Sequence, residues 1–381
     1  MRDVFVLGIG QTVFGKFPQL TPIQLGIQAA KAVIEDAVID PRMIEVAYGG
    51  RSYDDTQTAE NILRYVGITN IPMYNTENAC TTGATVVNQL WKDIAYGIHD
   101  IGIAVTCESM TTSSKAGKLV GAAEGDLNGT LGLTMPSYFA LIAYRLMEER
   151  GATLADLAYP SVKNHRNACM NPYAMYRKAL TTEEVMNSKM ICDPLRTLHC
   201  CPITDGAAAI ILCTGEIARR YTTKLIKMAS SFVLSAPFEA WDYNLIDNPL
   251  IKDLAKRTYE AAGIGPEDLD LIELHDAFAP EEISAASCLG LCKTGEEISY
   301  MRSGASEIGG KCPVNPSGGL LSLGHPLGAS GARVVCEVTQ HLRGTAGERQ
   351  VKGAKVGMAE MIGGYLTGLG PSIAGINLLT I

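Results

Sequence analysis

The sequence lacks several features that would each have indicated a particular class of protein. It contains no run approaching roughly 18 consecutive apolar residues, the length that a membrane-spanning helix needs. The apolar stretch near its start is too short for a signal peptide. Positive charge is not in excess, because 32 Lys and Arg are outnumbered by 40 Asp and Glu. The net charge of -8 therefore argues against general affinity for nucleic acid or an anionic membrane.

Paired cysteine motifs are also missing. The chain has eleven cysteines, an odd number, and no two of them form a C-x-x-C pair. Cys200 and Cys201 are adjacent in the chain, and neither a disulfide framework nor a zinc site is predicted. We therefore expect a cytoplasmic protein without bound metal, whose cysteines are reduced and include one or two reactive thiols.

The apolar residues that are present alternate between two patterns. They make up 47% of 381 residues, enough for one large core or two domains of ordinary size. Short strand-like runs such as VFVLGIG and IEVAYGG alternate with helical patterns, which predicts an α/β protein with a sheet between helices. This alternation breaks over residues 111–195 and resumes at residues 207–213. The interrupting segment is predicted to be an inserted loop domain.

A short repeat indicates that the fold is duplicated. The sequence TGATVV at residues 82–87 recurs as SGARVV at residues 330–335. Each copy leads into a predicted helix that a glycine closes, Gly97 in the first case and Gly344 in the second. The match is short, but the two copies share one supersecondary context, and this favours two related halves.

Cys80 is the first candidate for chemistry. It lies in YNTENACTTGATVV, residues 74–87, where it is predicted to occupy the first turn of a helix. Unpaired N–H groups and the positive end of the helix dipole favour a thiolate there, so Cys80 is a natural nucleophile. The alternative is that Cys80 is simply a small buried apolar residue.

Three further positions carry residues suited to a site. His275 ends the strand-like segment LIELHDAFAP, where its side chain can face a cleft at the edge of a sheet. His325 lies in a glycine-dense turn before a helix, and glycines allow close approach of backbone and ligand. Gly363 and Gly364 lie in a predicted hairpin that could expose N–H groups. Each residue could instead be structural, but together they predict an active site.

The sequence resembles the thiolase superfamily over nearly its whole length. The resemblance rests on ENACTTGA, CCPITDGAAA, HDAFAP and NPSGGLLSLGHPLGASGAR, and it is greatest to the lipid-transfer-protein (sterol carrier protein type) branch in its bacterial and archaeal form, which carries HD-x-F where other thiolases carry NEAF. It implies a thiolase fold, with two similar βαβαβαββ halves stacked in five layers, α-β-α-β-α. The implied halves are residues 1–110 with 196–220, and residues 221–381, with residues 111–195 as the inserted loop domain.

The resemblance also implies roles for the four candidate residues. Cys80 would attack an acyl-CoA carbonyl, and a thiolate suits this acyl transfer because it is both nucleophile and leaving group. His325 would take the thiol proton, and His275 would join His325 in a pocket for the enolate oxygen. The N–H groups of Cys80 and Gly363 would form a second oxyanion pocket.

The second catalytic cysteine of most thiolases is missing. Met361 and Tyr365 occupy positions of the usual C-x-G-G-G turn, and a thioether sulfur cannot act as acid or base. Animal members of the branch can place a cysteine inside HD-x-F, but this chain has Ala277 there. His275, Tyr365 and Cys312 remain as alternative replacements.

These features predict a 3-oxoacyl-CoA thiolase that breaks or forms a carbon–carbon bond. Its substrates would be acyl-CoA and coenzyme A, with no permanently bound cofactor. The resemblance implies a homodimeric core and allows a small accessory subunit with a zinc ribbon and an OB-fold. The alternatives are a retro-aldolase for CoA esters, which retention of Cys80 disfavours, and a non-catalytic acyl-binding subunit.

The acyl chain and the direction of the reaction in the cell are left open by these motifs. Methionines and tyrosines gather in NACMNPYAMYRKAL, residues 167–180, and Tyr365 replaces a glycine beside the expected site. Such side chains are adaptable and broad. They predict a bulky, branched or aryl 3-oxoacyl-CoA of the kind formed in aromatic degradation.

Overall fold

The structure, a computed structural model, describes residues 1–53, 57–113, 127–237, 244–364 and 370–381. Within these ranges the strands are β1 (Val4–Gln11), β2 (Val46–Gly50), β3 (Met73–Thr76), β4 (Ile101–Ser109), β5 (Met190–Cys192), β6 (Leu195–Arg196), β7 (Asp205–Thr214), β8 (Ile226–Ser235), β9 (Leu271–Glu273), β10 (Val356–Gly363) and β11 (Ile373–Thr380).

The helices of the described residues are α1 (Pro22–Ala37), α2 (Thr58–Leu63), α3 (Thr82–Ala95), α4 (Leu127–Thr130), α5 (Met135–Arg150), α6 (Leu154–Ala168), α7 (Thr182–Met186), α8 (Gly215–Tyr221), α9 (Pro249–Ala262), α10 (Ala279–Cys288), α11 (Glu297–Arg302), α12 (Gly319–Leu323) and α13 (Leu327–Arg343). Among these residues, no helix combines the length and the apolar character that crossing a membrane requires. All eleven cysteines are described, and none of them is paired in a disulfide.

Nine of the strands form one sheet, in the order β3-β2-β4-β7-β1-β8-β11-β10-β9. Its two parts meet between β1 and β8, where only two residue pairs are in register. In the first part, β1 α1 β2 α2 β3 α3 β4 β7 has the predicted βαβαβαββ order. The second part repeats this order from β8, except that its third strand is reduced to a bridge between Ile272 and Val314. Pro313 and Pro316 flank the chain there, and proline cannot donate to a strand ladder.

Helices separate and cover the two parts of the sheet in five layers. On one outer face, α1 packs on β1, β4 and β7. In the centre lie α3 and α13, which contact each other as well as strands of both parts. On the opposite outer face, α9 packs on β8 and β11. This arrangement agrees with the predicted α-β-α-β-α layering.

The glycines of the short repeat explain how α3 and α13 approach so closely. A β-carbon on Gly83 would lie 2.4 Å from the backbone nitrogen of Ala332, and one on Gly331 would lie 2.3 Å from that of Ala84. A side chain at either position would therefore collide with the facing backbone. The repeated sequence marks the crossing of the two central helices.

The segment between β4 and β7 lies beside the second part of the sheet. Its helix α5 begins with a capping box of Thr134 and Ser137, and α6 begins with one of Thr153 and Asp156. Both helices pack against α10. The segment therefore covers α10, the helix that directly follows the HDAF motif. The limits of the loop domain and of the two halves remain predictions.

Candidate active site

Cys80 lies in a single turn of 3₁₀ helix, Ala79–Thr81, that leads directly into α3. The predicted position within the first α-helical turn is therefore wrong by a short distance. Ala79 has a φ of 48°, a left-handed conformation that costs energy for a residue with a side chain. Two hydrogen bonds hold this turn: Ser52 Oγ donates to the Ala79 carbonyl at 2.9 Å, and Asn78 N–H donates to Thr82 Oγ1 at 2.8 Å.

The surroundings of Cys80 do not favour a resting thiolate. Burial raises the pKa of its thiol, and an ionised Glu281 would raise this pKa further. The backbone N–H of Cys80 acts in the opposite direction but is outweighed. The expectation that the helix start favours the thiolate is therefore wrong for the resting protein. Cys80 needs a base that removes its proton when the substrate is in place.

Two histidines supply candidate bases. His275 follows β9 by two residues, and His325 lies in the turn between α12 and α13. Their Nε2 atoms are 3.3 Å apart, and their rings meet edge to face. The sulfur of Cys80 and one ring nitrogen of each histidine all lie within 4.8 Å of one another. The structure thus brings together three residues from distant parts of the sequence.

Each ring is held through its other nitrogen. Nδ1 of His325 lies 2.8 Å from Ser330 Oγ, and Nδ1 of His275 lies 2.7 Å from Glu281 Oε1. The backbone N–H of His275 also donates to Glu360 Oε2 at 3.0 Å. Burial lowers the pKa of His275 to about 3 and that of His325 well below its usual value. Both rings are therefore neutral near pH 7 and can accept a proton.

Gly363 ends β10 directly beside the Cys80 turn. A β-carbon on Gly363 would lie 2.9 Å from the backbone nitrogen of Cys80 and 2.7 Å from that of Thr81. Any other residue would therefore push the strand end away from these N–H groups. Gly364 follows with a φ of 64°, a left-handed conformation that favours glycine. This geometry suits the predicted oxyanion pocket, whose role remains a prediction.

Replacing Gly363 by alanine is expected to slow acylation of Cys80 by about a hundredfold, the usual effect of losing one oxyanion donor. The added methyl group would displace the backbone from the Cys80 N–H. Stopped-flow measurement of acylation by a simple acyl thioester would check this, with thermal unfolding as the control for folding. An unchanged acylation rate in a folded variant would contradict the predicted pocket.

The candidate residues line one cavity of about 600 Å³. Cys80, His275, His325 and Gly363 meet at its wall, and among the described residues no Lys, Arg, Asp or Glu lines it. The other walls are largely apolar, as in most small-molecule sites. They include Met110, Met135, Phe139, Phe278, Leu327 and Ile362.

An aromatic wall comes from two distant segments. Phe139 of α5 stacks on Phe278 of the HDAF motif, with ring centroids 4.3 Å apart. Tyr176 also lines the cavity and stacks on His165. The other methionines and tyrosines of residues 167–180 are not among the lining residues. The predicted contribution of that stretch is therefore reduced to Tyr176.

Two candidates for the second acid or base do not gain support. Cys312 is buried beside Tyr300, whose hydroxyl donates to the Cys312 carbonyl, and it does not line the cavity. It therefore has no access to a substrate bound there. Tyr365 lies outside the described residues. Met361, aligned with the missing cysteine, is fully buried and does not line the cavity either.

Sequence reasoning missed residues that the structure places at the site. Cys201 lines the cavity, and its N–H donates to the Ala277 carbonyl at 2.8 Å, beside the HDAF motif. The CCPITDGAAA motif had marked this part of the sequence, but no role had been assigned to its residues. Glu281, against the His275 ring, had no separate signal because an acidic residue in the first turn of a helix is common.

Comparisons with known proteins agree with this fold. The thiolase N-terminal domain matches residues 4–216, and the thiolase C-terminal domain-like family matches residues 245–375. A solved structure of an "Ltp2-ChsH2(DUF35) aldolase" superposes with a TM-score of 0.84, covering 99% of this chain and 97% of that chain. At 24% identity, this likeness shows the fold alone.

Curated relatives resemble the chain over almost its full length. The benzoylsuccinyl-CoA thiolase subunit BbsB of Thauera aromatica is 36% identical, with 95% of each chain covered. An acetyl-CoA acetyltransferase of Methanothermobacter thermautotrophicus is 38% identical, with 96% of this chain and 97% of the relative covered. Sterol carrier protein 2 of Bos taurus is 35% identical over 94% of this chain and 70% of its own length. The chain therefore belongs to the thiolase family.

Proposed function

We propose that the protein is a 3-oxoacyl-CoA thiolase, an acyltransferase that works through an acyl-enzyme on Cys80. The observation that carries this proposal is the convergence of one thiol, two neutral imidazoles and the Gly363 backbone on a single apolar cavity. Family membership supports the same chemistry. Coenzyme A is the proposed co-substrate, and no step requires a permanently bound cofactor.

The proposed reaction begins with transfer of the Cys80 proton to Nε2 of His325. The thiolate attacks the 3-oxo carbon, while the N–H groups of Cys80 and Gly363 stabilise the resulting oxyanion. The bond between carbons 2 and 3 then breaks and leaves an acyl group on Cys80. The released electron pair forms an enolate, whose oxygen lies between His275 and His325. The proton held by His325 passes to the enolate carbon and gives an acyl-CoA that retains carbons 1 and 2 of the substrate.

A second half-reaction regenerates the enzyme. The thiol of coenzyme A loses its proton to Nε2 of His325 and attacks the thioester carbonyl of acylated Cys80. Cys80 leaves as a thiolate and takes back the proton that His325 held. Of the three replacements considered for the missing cysteine, His275 lines the cavity, and we assign to it the N–H donor for the enolate oxygen, while His325 carries the proton to the enolate carbon.

The spacing of the Cys80 sulfur and the two rings would also suit a soft metal ion. We assign these groups to acyl transfer instead, because the family chemistry needs each of them as nucleophile, base or donor. Activity is therefore expected to persist after treatment with a chelator.

The proposed substrate is a bulky or aryl 3-oxoacyl-CoA. The cavity of about 600 Å³ and the stacked pair of Phe139 and Phe278 support this choice, because both suit a flat apolar group. The relative BbsB is named for benzoylsuccinyl-CoA, a CoA thioester that carries an aromatic benzoyl group. The place in metabolism that we propose is accordingly aromatic degradation.

A substrate panel tests this preference. Purified enzyme, with any co-purifying partner, is expected to cleave aryl and branched 3-oxoacyl-CoA esters with a kcat/KM at least about tenfold above that for acetoacetyl-CoA, the discrimination that a fitted apolar pocket provides. Replacing Phe139 by alanine should reduce the preference without abolishing acetoacetyl-CoA cleavage. A higher kcat/KM for acetoacetyl-CoA than for every bulky ester would replace the aryl assignment by a short-chain role.

Mass spectrometry after incubation with acyl-CoA distinguishes the other functions. A mass increase equal to the acyl group at Cys80 is expected for a thiolase. A retro-aldolase or an acyl-binding subunit would show no covalent acyl group. The hydrogen-bonded base beside Cys80 favours thiolysis over both alternatives.

We also propose a homodimer core in the cytoplasm, with room for an accessory subunit. Strand β3 is the outermost strand of its part of the sheet, and Tyr74 on it is 52% exposed, which supports pairing with a second copy. BbsB is named as a subunit, and the aldolase structure is named with a DUF35 protein. Purification from the native host would identify such a partner, and full activity of the homodimer alone would contradict the need for one.

A further inference from the structure

Glu281 is a buried acid that the mechanism above does not use. It lies in the first turn of α10 and is only 4% exposed, as is His275. Its Oε1 is 2.7 Å from Nδ1 of His275, on the side of the ring that faces away from His325. Because this contact is a short hydrogen bond, the proton on it decides which nitrogen of His275 carries hydrogen.

The hydrogen positions on the two histidine rings follow from the hydrogen bonds of His325, at the other end of the network from Glu281. If His325 is to take the Cys80 proton, its Nε2 must carry a lone pair, and its hydrogen must be on Nδ1. That N–H then donates to Ser330 Oγ at 2.8 Å. The Ser330 hydroxyl is left free to donate to the Pro326 carbonyl at 3.0 Å. Every group at this end is satisfied in one arrangement.

The same count determines the state of His275. Its Nε2 is 3.3 Å from Nε2 of His325, and one of two hydrogen-bonded nitrogens must donate. Since Nε2 of His325 accepts, Nε2 of His275 carries the hydrogen. A neutral His275 ring then has a bare Nδ1, which needs a donor. Glu281 can donate only when its carboxyl group is protonated.

The environment of Glu281 supports the neutral acid. Burial raises the pKa of Glu281 well above its usual value, and the N–H groups of Phe278 and Ala277 offset only part of this effect. Within the described residues, its buried Oε2 has no hydrogen-bond partner. Such an unpaired oxygen is costly in a carboxylate and far less so in a neutral acid.

The chemistry of the site points the same way. Cys80 must become a thiolate, and the enolate must form between the two rings, so negative charge develops twice in this cavity. An ionised Glu281 beside them would oppose both events, as its effect on the Cys80 pKa indicates. A neutral Glu281 provides a hydrogen bond without that repulsion.

We infer that Glu281 is a positioning residue that, as a protonated acid, fixes the tautomer of His275 so that Nε2–H points into the cavity. His275 can then donate to the enolate oxygen, while His325 delivers to the enolate carbon the proton that it took from Cys80. After His325 accepts the Cys80 proton, both rings present N–H groups to the same place. This inference rests on the proposed function in one respect, the role of His325 as the thiol base.

Ring tautomers test the inference without any turnover. The chain has six histidines, and ¹⁵N chemical shifts of the labelled rings distinguish Nδ1–H from Nε2–H. Loss of one signal in a His275→Gln variant assigns His275. The expected result near pH 7 is an Nε2–H tautomer in the wild-type protein and in Glu281→Gln, whose amide can still donate. Protonation of His275 on Nδ1 in the wild-type protein would overturn the inference.

Kinetic variants provide the second test. Glu281→Leu removes the donor at similar volume, and it is expected to slow α-proton exchange of the product acyl-CoA in D₂O by about a hundredfold, as for other lost oxyanion donors. Acylation of Cys80 by a simple thioester should change by less than about threefold, since the N–H groups and His325 that serve this step remain. Glu281→Gln should keep most of the exchange rate.

A matched control lies one turn along the same helix. Ser284 donates to the Glu281 carbonyl and, among the described residues, forms no hydrogen bond with either ring, so Ser284→Ala should leave both rates unchanged. If Glu281→Gln is as slow as Glu281→Leu, or if Glu281→Leu exchanges at the wild-type rate, the inference is wrong. If Cys80 is acylated in none of the proteins, the proposed function fails, while the ring tautomers still decide the role of Glu281.

Discussion

Replacing Cys80 by alanine is expected to abolish thiolysis while the fold remains intact. The thiol is the nucleophile of the proposed acyl-enzyme, and loss of a nucleophile of this kind lowers turnover by about 10⁴-fold or more. Alanine is tolerated in this turn on steric grounds, because it is smaller than cysteine and keeps the β-carbon. Unfolding temperature and near-ultraviolet circular dichroism would check that the variant is folded.

The matched control is Cys200→Ala, which removes a thiol from the same cavity wall. Burial raises the pKa of the Cys200 thiol to about 12, and its Sγ donates to the Arg196 carbonyl rather than to a histidine. This variant should retain turnover and should still gain an acyl group on Cys80. Near wild-type thiolysis by Cys80→Ala, or transfer of the acyl label to Cys200, would contradict the proposed mechanism.

Removing either histidine is expected to slow a different step. His325→Ala removes the group placed to take the Cys80 proton, and because the thiol pKa is raised, acylation should slow by about a hundred- to a thousandfold. His275→Ala removes an N–H donor to the enolate, and carbon–carbon cleavage should slow by about a hundred- to a thousandfold. Acylation by a simple thioester should change little in the second variant.

The two steps are separated by the choice of substrate. Stopped-flow acylation with a saturated acyl-CoA reports the first step alone, whereas cleavage of a 3-oxoacyl-CoA requires both. His165→Ala is a suitable control, because His165 also lines the cavity but donates to or accepts from neither catalytic ring. Equal and small effects of both histidine variants on both steps would show that the site has been misplaced.

The sequence motifs predicted which distant residues lie together at the site better than they predicted the pKa of the Cys80 thiol. Cys80, His275, His325 and Gly363 were singled out from short sequence patterns, and the structure places all four around one cavity. Their patterns are informative because turns before helices and strand ends have strong local sequence requirements. The thiol pKa depends instead on burial by the whole fold, which no local pattern contains.

Contacts between separate segments were the other limit of sequence reasoning. The stacking of Phe139 on Phe278 joins α5 to the HDAF motif. In the sequence, each phenylalanine taken alone is indistinguishable from an ordinary core residue. Glu281 becomes relevant to the site only because the first turn of α10 places its carboxyl group against the ring of His275. Likewise, a single bridge at Val314 replaces a strand. The neighbouring prolines cannot donate to a strand ladder, and this effect becomes visible only when the pairing with β9 is known.

The crossing of α3 and α13 at Gly83 and Gly331 ties the symmetry of the fold to the spacing of its reactive atoms. Cys80 lies two residues before the start of α3 and His325 two residues before the start of α13, so each half contributes one member of the thiol–imidazole pair. The backbone contact between the glycines sets how near the two helix ends lie. Neither half contains both partners, so the reactive thiol–imidazole pair exists only where the two halves meet.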